Sequence, residues 1–141
     1  MREGETERGG EGGDIRTRKV IRRHTELEVF QRSFNAAMDL FWLSKKFPIE
    51  ERYSLTDQVR RSSRSVASNI TEAWRKRRYP ASFVAKLSDA EGEAAETQTW
   101  IKLAESCEYI PNEEASKLLS EYDAIIGKLV NMIQHPDHWK L

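Results

Sequence analysis

The chain has 141 residues, of which 33% are charged and 38% hydrophobic, and its 23 Lys or Arg are balanced by 23 Asp or Glu. That length accommodates one domain rather than two, and the apolar fraction is too high for a wholly disordered chain. A single cysteine excludes an intrachain disulfide and a cysteine-based zinc site. No apolar run reaches the roughly eighteen residues of a membrane span, and no apolar signal core follows Met1, so a soluble, cytoplasmic protein without membrane contact is expected.

Residues 1–24 differ from the rest. Gly4, Gly9, Gly10, Gly12 and Gly13 alternate with Glu3, Glu5, Glu7, Arg8 and Glu11, and no large apolar residue occurs between Met1 and Ile15. Such a stretch buries too little surface to offset its ordering entropy, so residues 1–13 are expected to be disordered. Arg16, Arg18, Lys19, Arg22 and Arg23 then form a short basic arm.

From Thr25 the pattern turns helical. Thr25 and Glu28 have capping-box spacing. Leu27, Phe30, Phe34, Met38 and Phe41 recur at three- and four-residue steps, which places them on one helix face as the expected inward stripe. Pro48 cannot continue that helix. Ser54 is the expected N-cap of a second helix with the stripe Leu55, Val59, Ser62, Val66, Ile70 and Ala73. Pro80 suits the first turn of a third, with Phe83, Leu87, Ala90, Ala94, Ile101 and Ala104 inward. Pro111 and Asn112 open a fourth, carrying Ala115, Leu118, Tyr122, Ile125, Leu129 and Met132, and Pro136 closes it. No segment shows strand alternation bounded by hairpin turns. The expected fold is therefore all-α: an antiparallel up-down-up-down four-helix bundle over residues 25–136, with a disordered N-terminal extension and a tail at 137–141.

Zero net charge conceals an asymmetry. Residues 45–86 hold eleven Lys or Arg against four Asp or Glu, and residues 87–141 hold four against eleven. At 100° per residue, Arg60, Arg64, Arg75 and Arg78 fall within about 60° of one another, away from the apolar stripe, and Arg61 flanks them. The run Arg75, Lys76, Arg77 and Arg78 lies between Trp74 and Tyr79. Guanidinium groups pair bidentately with phosphate and aromatic rings stack on unpaired bases, so one reading is a nucleic-acid contact. The same pattern also describes a solvated helix face, or a basic face that docks on the acidic helices of another subunit.

Other chemistry finds little support. A di-iron carboxylate site needs Glu-x-x-His pairs, and none of His24, His135 or His138 has a glutamate three residues before it. Cys107, between Ala104 and Tyr109, reads as a small buried thiol. The serines at 62, 63, 65 and 68 have no histidine near them in sequence and read as small residues that permit close helix approach. Asn69 and Glu72 read as hydrogen-bonded structural polars, with Glu93, Glu96 and Gln98 as possible partners. Trp42, Trp74, Trp100 and Trp139 exceed what the inward stripes accommodate, which points to aromatic surface used in self-association.

The stretch Phe47-Pro48-Ile49-Glu50-Glu51-Arg52-Tyr53-Ser54-Leu55-Thr56-Asp57-Gln58-Val59-Arg60-Arg61 resembles the signature of the four helix bundle proteins encoded in intervening sequences of bacterial 23S rRNA genes, also called S23 ribosomal proteins. Ser65-Val66-Ala67-Ser68-Asn69-Ile70-Thr71-Glu72, Gly92-Glu93, Glu96-Thr97-Gln98, Leu103-Ala104 and Tyr109-Ile110 resemble further blocks of that family. Ser62 and Ser63 stand where it usually has two alanines, and Ala73-Trp74 replaces a common glycine. The resemblance implies an antiparallel bundle that assembles as a homopentamer. The chain is also similar to the accessory variability determinants of diversity-generating retroelements, which implies binding of nucleic acid and of a reverse transcriptase. Together these readings define the expected function: a non-enzymatic, oligomeric, cofactor-free accessory protein that binds RNA or DNA through Arg60, Arg61, Arg64, Arg75, Lys76, Arg77 and Arg78. The alternative is an interaction scaffold that uses the same face for self-assembly or for docking a reverse transcriptase.

Overall fold

A computed structural model describes residues 20–141. The Gly/Glu-rich stretch and Arg16, Arg18 and Lys19 of the basic arm lie outside the described residues. Four α-helices follow in order: α1 (Glu28–Ser44), α2 (Leu55–Arg75), α3 (Pro80–Ser106) and α4 (Asn112–Gln134), with no strand among the described residues.

Proline punctuation places the helices as expected. Pro48 opens the connection after α1, Pro80 is the first residue of α3, and Pro111 caps α4. Ser54 precedes α2, yet its hydroxyl caps nothing; the Leu55 amide donates instead to Glu51 Oε1 at 3.2 Å. The other Glu51 oxygen accepts from the Tyr109 hydroxyl at 2.8 Å, tying the start of α2 to the end of α3. These donors hold the Glu51 carboxyl below its ordinary range, and the same bond pushes the Tyr109 phenol up to about 12. The end of α3 is a Schellman turn: Glu108 takes the left-handed φ of 64°, its amide donates to Glu105 O, and that of Tyr109 donates to Ala104 O. Cys107 caps this helix on the solvent side, so the expected buried thiol is an exposed one.

Side-chain bonds between helices show the antiparallel course directly for α2 with α3 and for α1 with α4. Arg61 reaches Glu93 and Glu96 while Lys86 pairs with Glu72, so α2 and α3 run in opposite directions. Arg32 binds Glu121 bidentately at 2.9 Å and Lys128 pairs with Glu28, which orients α1 against α4. Arg60 meets Ser44 near the α1–α2 connection. Gln98 donates to Leu119 O and Asp123 across α3 and α4.

Every expected stripe residue of α2, α3 and α4 is buried. The most extensive interface joins α2 and α3. Small polar residues meet across it: Ser62 of α2 and Thr97 of α3, both buried. Thr97 Oγ1 donates to Glu93 O and lies 2.8 Å from Ser62 Oγ, so the hydroxyls that permit close approach are also satisfied.

The first helix departs from expectation. Its buried residues are Val29, Ser33, Ala36, Leu40 and Ser44, not the Phe34 and Met38 stripe; Phe34 is 51% and Met38 40% exposed. The true stripe is offset by one residue, about 100° around the helix. Of the expected stripe Leu27 is buried and Phe30 packs against the core, Phe41 is half-buried, and Phe34 and Met38 turn outward. Nor do Thr25 and Glu28 form the capping box: Thr25 lies in a 3₁₀ turn at His24–Glu26, and Glu26 receives the Arg22 and Arg23 amides. At the other end the expected tail is partly docked. A 3₁₀ turn at Pro136–Trp139 brings Trp139 against Trp74, with ring centroids 6.4 Å apart.

Among the described residues one core group is unsatisfied. Tyr122 is fully buried and its hydroxyl has no hydrogen-bond partner among them; burial, with Glu121 and Asp39 nearby, raises its pKa far above the ordinary phenol value. An orphaned buried hydroxyl costs about 1–3 kcal/mol. Tyr122→Phe is expected to raise the unfolding free energy by about 1 kcal/mol, measured as an upward shift of the urea midpoint at unchanged slope.

Candidate nucleic-acid interface

The expected arginine row does not exist as one stripe. Helix α2 ends at Arg75, so Lys76, Arg77 and Arg78 lie in the turn to α3. Fifteen residues separate Arg60 from Arg75, about 22 Å along the axis. The seven cations therefore form two groups, one at each end of α2.

Arg61 is occupied within the chain. Its guanidinium pairs with Glu96 and, at 3.5 Å, with Glu93; Glu96 also accepts from Trp100 Nε1 at 3.2 Å. Arg77 is likewise engaged. Its guanidinium carbon sits 3.5 Å from the centroid of the Trp74 ring and its Nε donates to Trp74 O at 2.8 Å. Desolvation, with the nearby Arg75 charge, lowers its pKa. Trp74 itself is buried and offers no face to a base, whereas Tyr79 is exposed. Arg75, Lys76 and Arg78 are exposed and form no ion pair among the described residues.

The other group is the more ordered one. Phe41, on the outward side of α1, has three cations over its ring: Lys45 Nζ at 4.8 Å from the centroid, Arg60 at 4.9 Å and Arg64 at 5.9 Å. None of the three forms an ion pair among the described residues. Buried Ser44 fixes the arrangement. Its hydroxyl donates to Phe41 O at 3.0 Å and accepts from Arg60 Nε at 2.7 Å, which leaves the two terminal amino groups of Arg60 for another acceptor. Arg60 and Arg64 line a depression of about 590 Å³ on the outer face of α2, together with Arg52 and Arg61 and one carboxylate, Asp57. At Arg64 and Ser68 it meets a smaller apolar groove of about 350 Å³ between α1 and α2, walled by Phe30, Phe34, Met38 and Phe41.

Lys45, Arg52, Phe41 and Ser44 did not stand out in the sequence as site residues. The signal available was the local charge excess of residues 45–86, which includes Lys45 and Arg52 but does not say which cations converge. Asn69 bonds to Ser65 on its own helix and Glu72 pairs with Lys86, so neither meets Glu93, Glu96 or Gln98. Four tryptophans divide unequally: Trp42 is 60% exposed, Trp74 buried, Trp100 and Trp139 partly buried against the core. Among the described residues no cluster of His, Cys, Asp or Glu has the makings of a metal site, and no helix is long and apolar enough to cross a membrane.

These features define an all-helical, antiparallel four-helix bundle protein with a basic, partly apolar face on α1 and α2. The family model described as 23S rRNA-intervening sequence protein matches residues 25–131, and the chain belongs to that family. The bundle is similar to a crystal structure of a protein of unknown function from the S23 ribosomal protein family of Bacteroides thetaiotaomicron VPI-5482. Identity is 30%, the alignment covers 75% of this chain and 95% of that one, and the TM-score is 0.68. No curated protein matches the chain.

Because Arg61 is neutralised within the chain, Arg61→Gln is expected to lower stability by no more than about 1 kcal/mol, as for other exposed ion pairs. The same substitution should leave polyanion affinity within about twofold of the parent, measured by fluorescence polarisation beside Arg60→Gln; only interactions that point outward count there.

Proposed function

We propose that this protein is a non-enzymatic, self-associating accessory protein that binds the phosphate backbone of RNA or DNA. The carrying observation is the convergence of Lys45, Arg60 and Arg64 on the Phe41 ring without a carboxylate partner among the described residues. Like charges held this close repel one another, and a phosphate placed between them relieves that repulsion while accepting the free Arg60 amino groups. Arg52 extends the contact along the depression, and Arg75, Lys76 and Arg78 supply a second, separate one at the far end of α2. Membership of a family described by intervening sequences of 23S rRNA genes supports a nucleic-acid context.

A second reading, an interaction scaffold, is favoured by a different observation. Phe34, Met38 and Trp42 recur every four residues on the outward side of α1, and each is 40% exposed or more. An uncovered aromatic strip flanked by arginines has the composition of a protein interface. In our reading this strip joins copies of the chain, a homopentamer being the assembly the family resemblance implies, or docks a reverse transcriptase. Self-association and phosphate binding are compatible as long as the Arg60 amino groups stay accessible.

Salt separates the two. Polyanion affinity is expected to fall steeply with ionic strength, with a log–log slope of about −0.7 per contacted phosphate on a single strand. The double change Arg60→Gln with Arg64→Gln should lower affinity at least tenfold and flatten that slope by roughly one to two contacts. Absence of binding to any RNA or DNA at low salt overturns the nucleic-acid reading. The assembly, being apolar, should keep its mass at high salt and lose it in Phe34→Glu with Met38→Glu, measured by light scattering.

A further inference from the structure

Resting on the nucleic-acid reading, we infer that the α1–α2 face selects single strands, with Tyr53 as a base-stacking platform beside the phosphate-binding cations. Tyr53 is 86% exposed, the most exposed aromatic among the described residues. It sits in the connection between α1 and α2, one residue before the Ser54 that precedes α2. Arg52 lies 5.8 Å from its ring centroid and lines the same depression as Arg60 and Arg64. A phenol ring left in water beside a row of guanidinium groups fills no core position and caps no helix. It presents its ring to solvent beside Arg52, the cation that joins it to the basic depression.

Trp42 repeats the arrangement on α1. It is 60% exposed, and Lys45, one of the three cations over Phe41, lies 5.7 Å from its ring. Each free aromatic thus has a cation beside it that also belongs to the basic face. In a duplex the faces of the bases are covered by their neighbours, so a protein ring gains nothing from them; in a loop, bulge or free strand they are open. Cations alone do not discriminate strands, because phosphates are present in both. The paired rings supply the discrimination, and because every base has a π-face they supply it with little sequence preference.

Tyr53 is the cleaner probe, since Trp42 also belongs to the aromatic strip of α1. The experiment compares binding of an unstructured oligouridine and of a blunt RNA duplex of equal phosphate count by the full chain. Tyr53→Ala should weaken oligouridine binding roughly fivefold or more and leave duplex binding unchanged; Tyr53→Trp should restore it and Tyr53→Leu should not. Equal loss on both ligands, no loss on either, or rescue by leucine overturns the stacking platform while leaving phosphate binding intact. A change in assembly mass in Tyr53→Ala with unaltered oligouridine affinity assigns the ring to a protein contact and overturns it too. Failure of the parent protein to bind either ligand at low salt overturns the nucleic-acid reading itself, a result distinct from all of these.

Discussion

The bundle depends on the close seating of α2 against α3. Ser62 of α2 meets Thr97 of α3 at 2.8 Å, so at this point the two backbones approach without bulky side chains between them. Close approach of this kind maximises dispersion contacts, and the cost of burying hydroxyls is offset where they find partners, as Thr97 does with Glu93 O and Ser62. Arg61 with Glu93 and Glu96, and Lys86 with Glu72, flank the seam on its wet side. Helices α1 and α4 then complete the bundle around this pair.

The seating has a consequence for the surface. Helix α1 presents Val29, Ser33, Ala36, Leu40 and Ser44 to the interior, while Phe34, Met38 and Trp42 remain outside. Phe41 occupies the boundary, half-buried, where cations from α1 and α2 gather over it. The feature that makes this face unusual, exposed aromatic area mixed with unpaired positive charge, follows from which side of α1 the rest of the bundle accepts.

Charge placement shows the same logic. An arginine on α2 is neutralised or left available according to the helix it faces. Arg61 turns toward the acidic side of α3 and is neutralised. Arg60 and Arg64 turn toward α1, which offers an aromatic ring and a serine hydroxyl instead of a carboxylate. Arg77 folds back on Trp74, itself held by Trp139 from the C-terminal turn. Residues adjacent in sequence and alike in chemistry thereby acquire different roles.

Much was legible in the residue order alone. Three prolines divide the chain into four helices, and the stripes of α2, α3 and α4 can be written down residue by residue because their large apolar side chains coincide with the buried face. The family resemblance was also carried by local blocks. In α1 periodicity misleads, since it registers the largest apolar residues, whereas the buried face about 100° away mixes Val29 and Leu40 with Ser33, Ala36 and Ser44, which an apolar pattern does not register. The site was legible as a charge excess but not as a geometry. Helical periodicity places Arg60 and Arg64 on one face, yet it cannot say that Phe41 and Ser44 of another helix meet them, or that Arg61 meets Glu96. Those pairings join positions from 16 to 35 residues apart, and only the packing of one helix on another decides them.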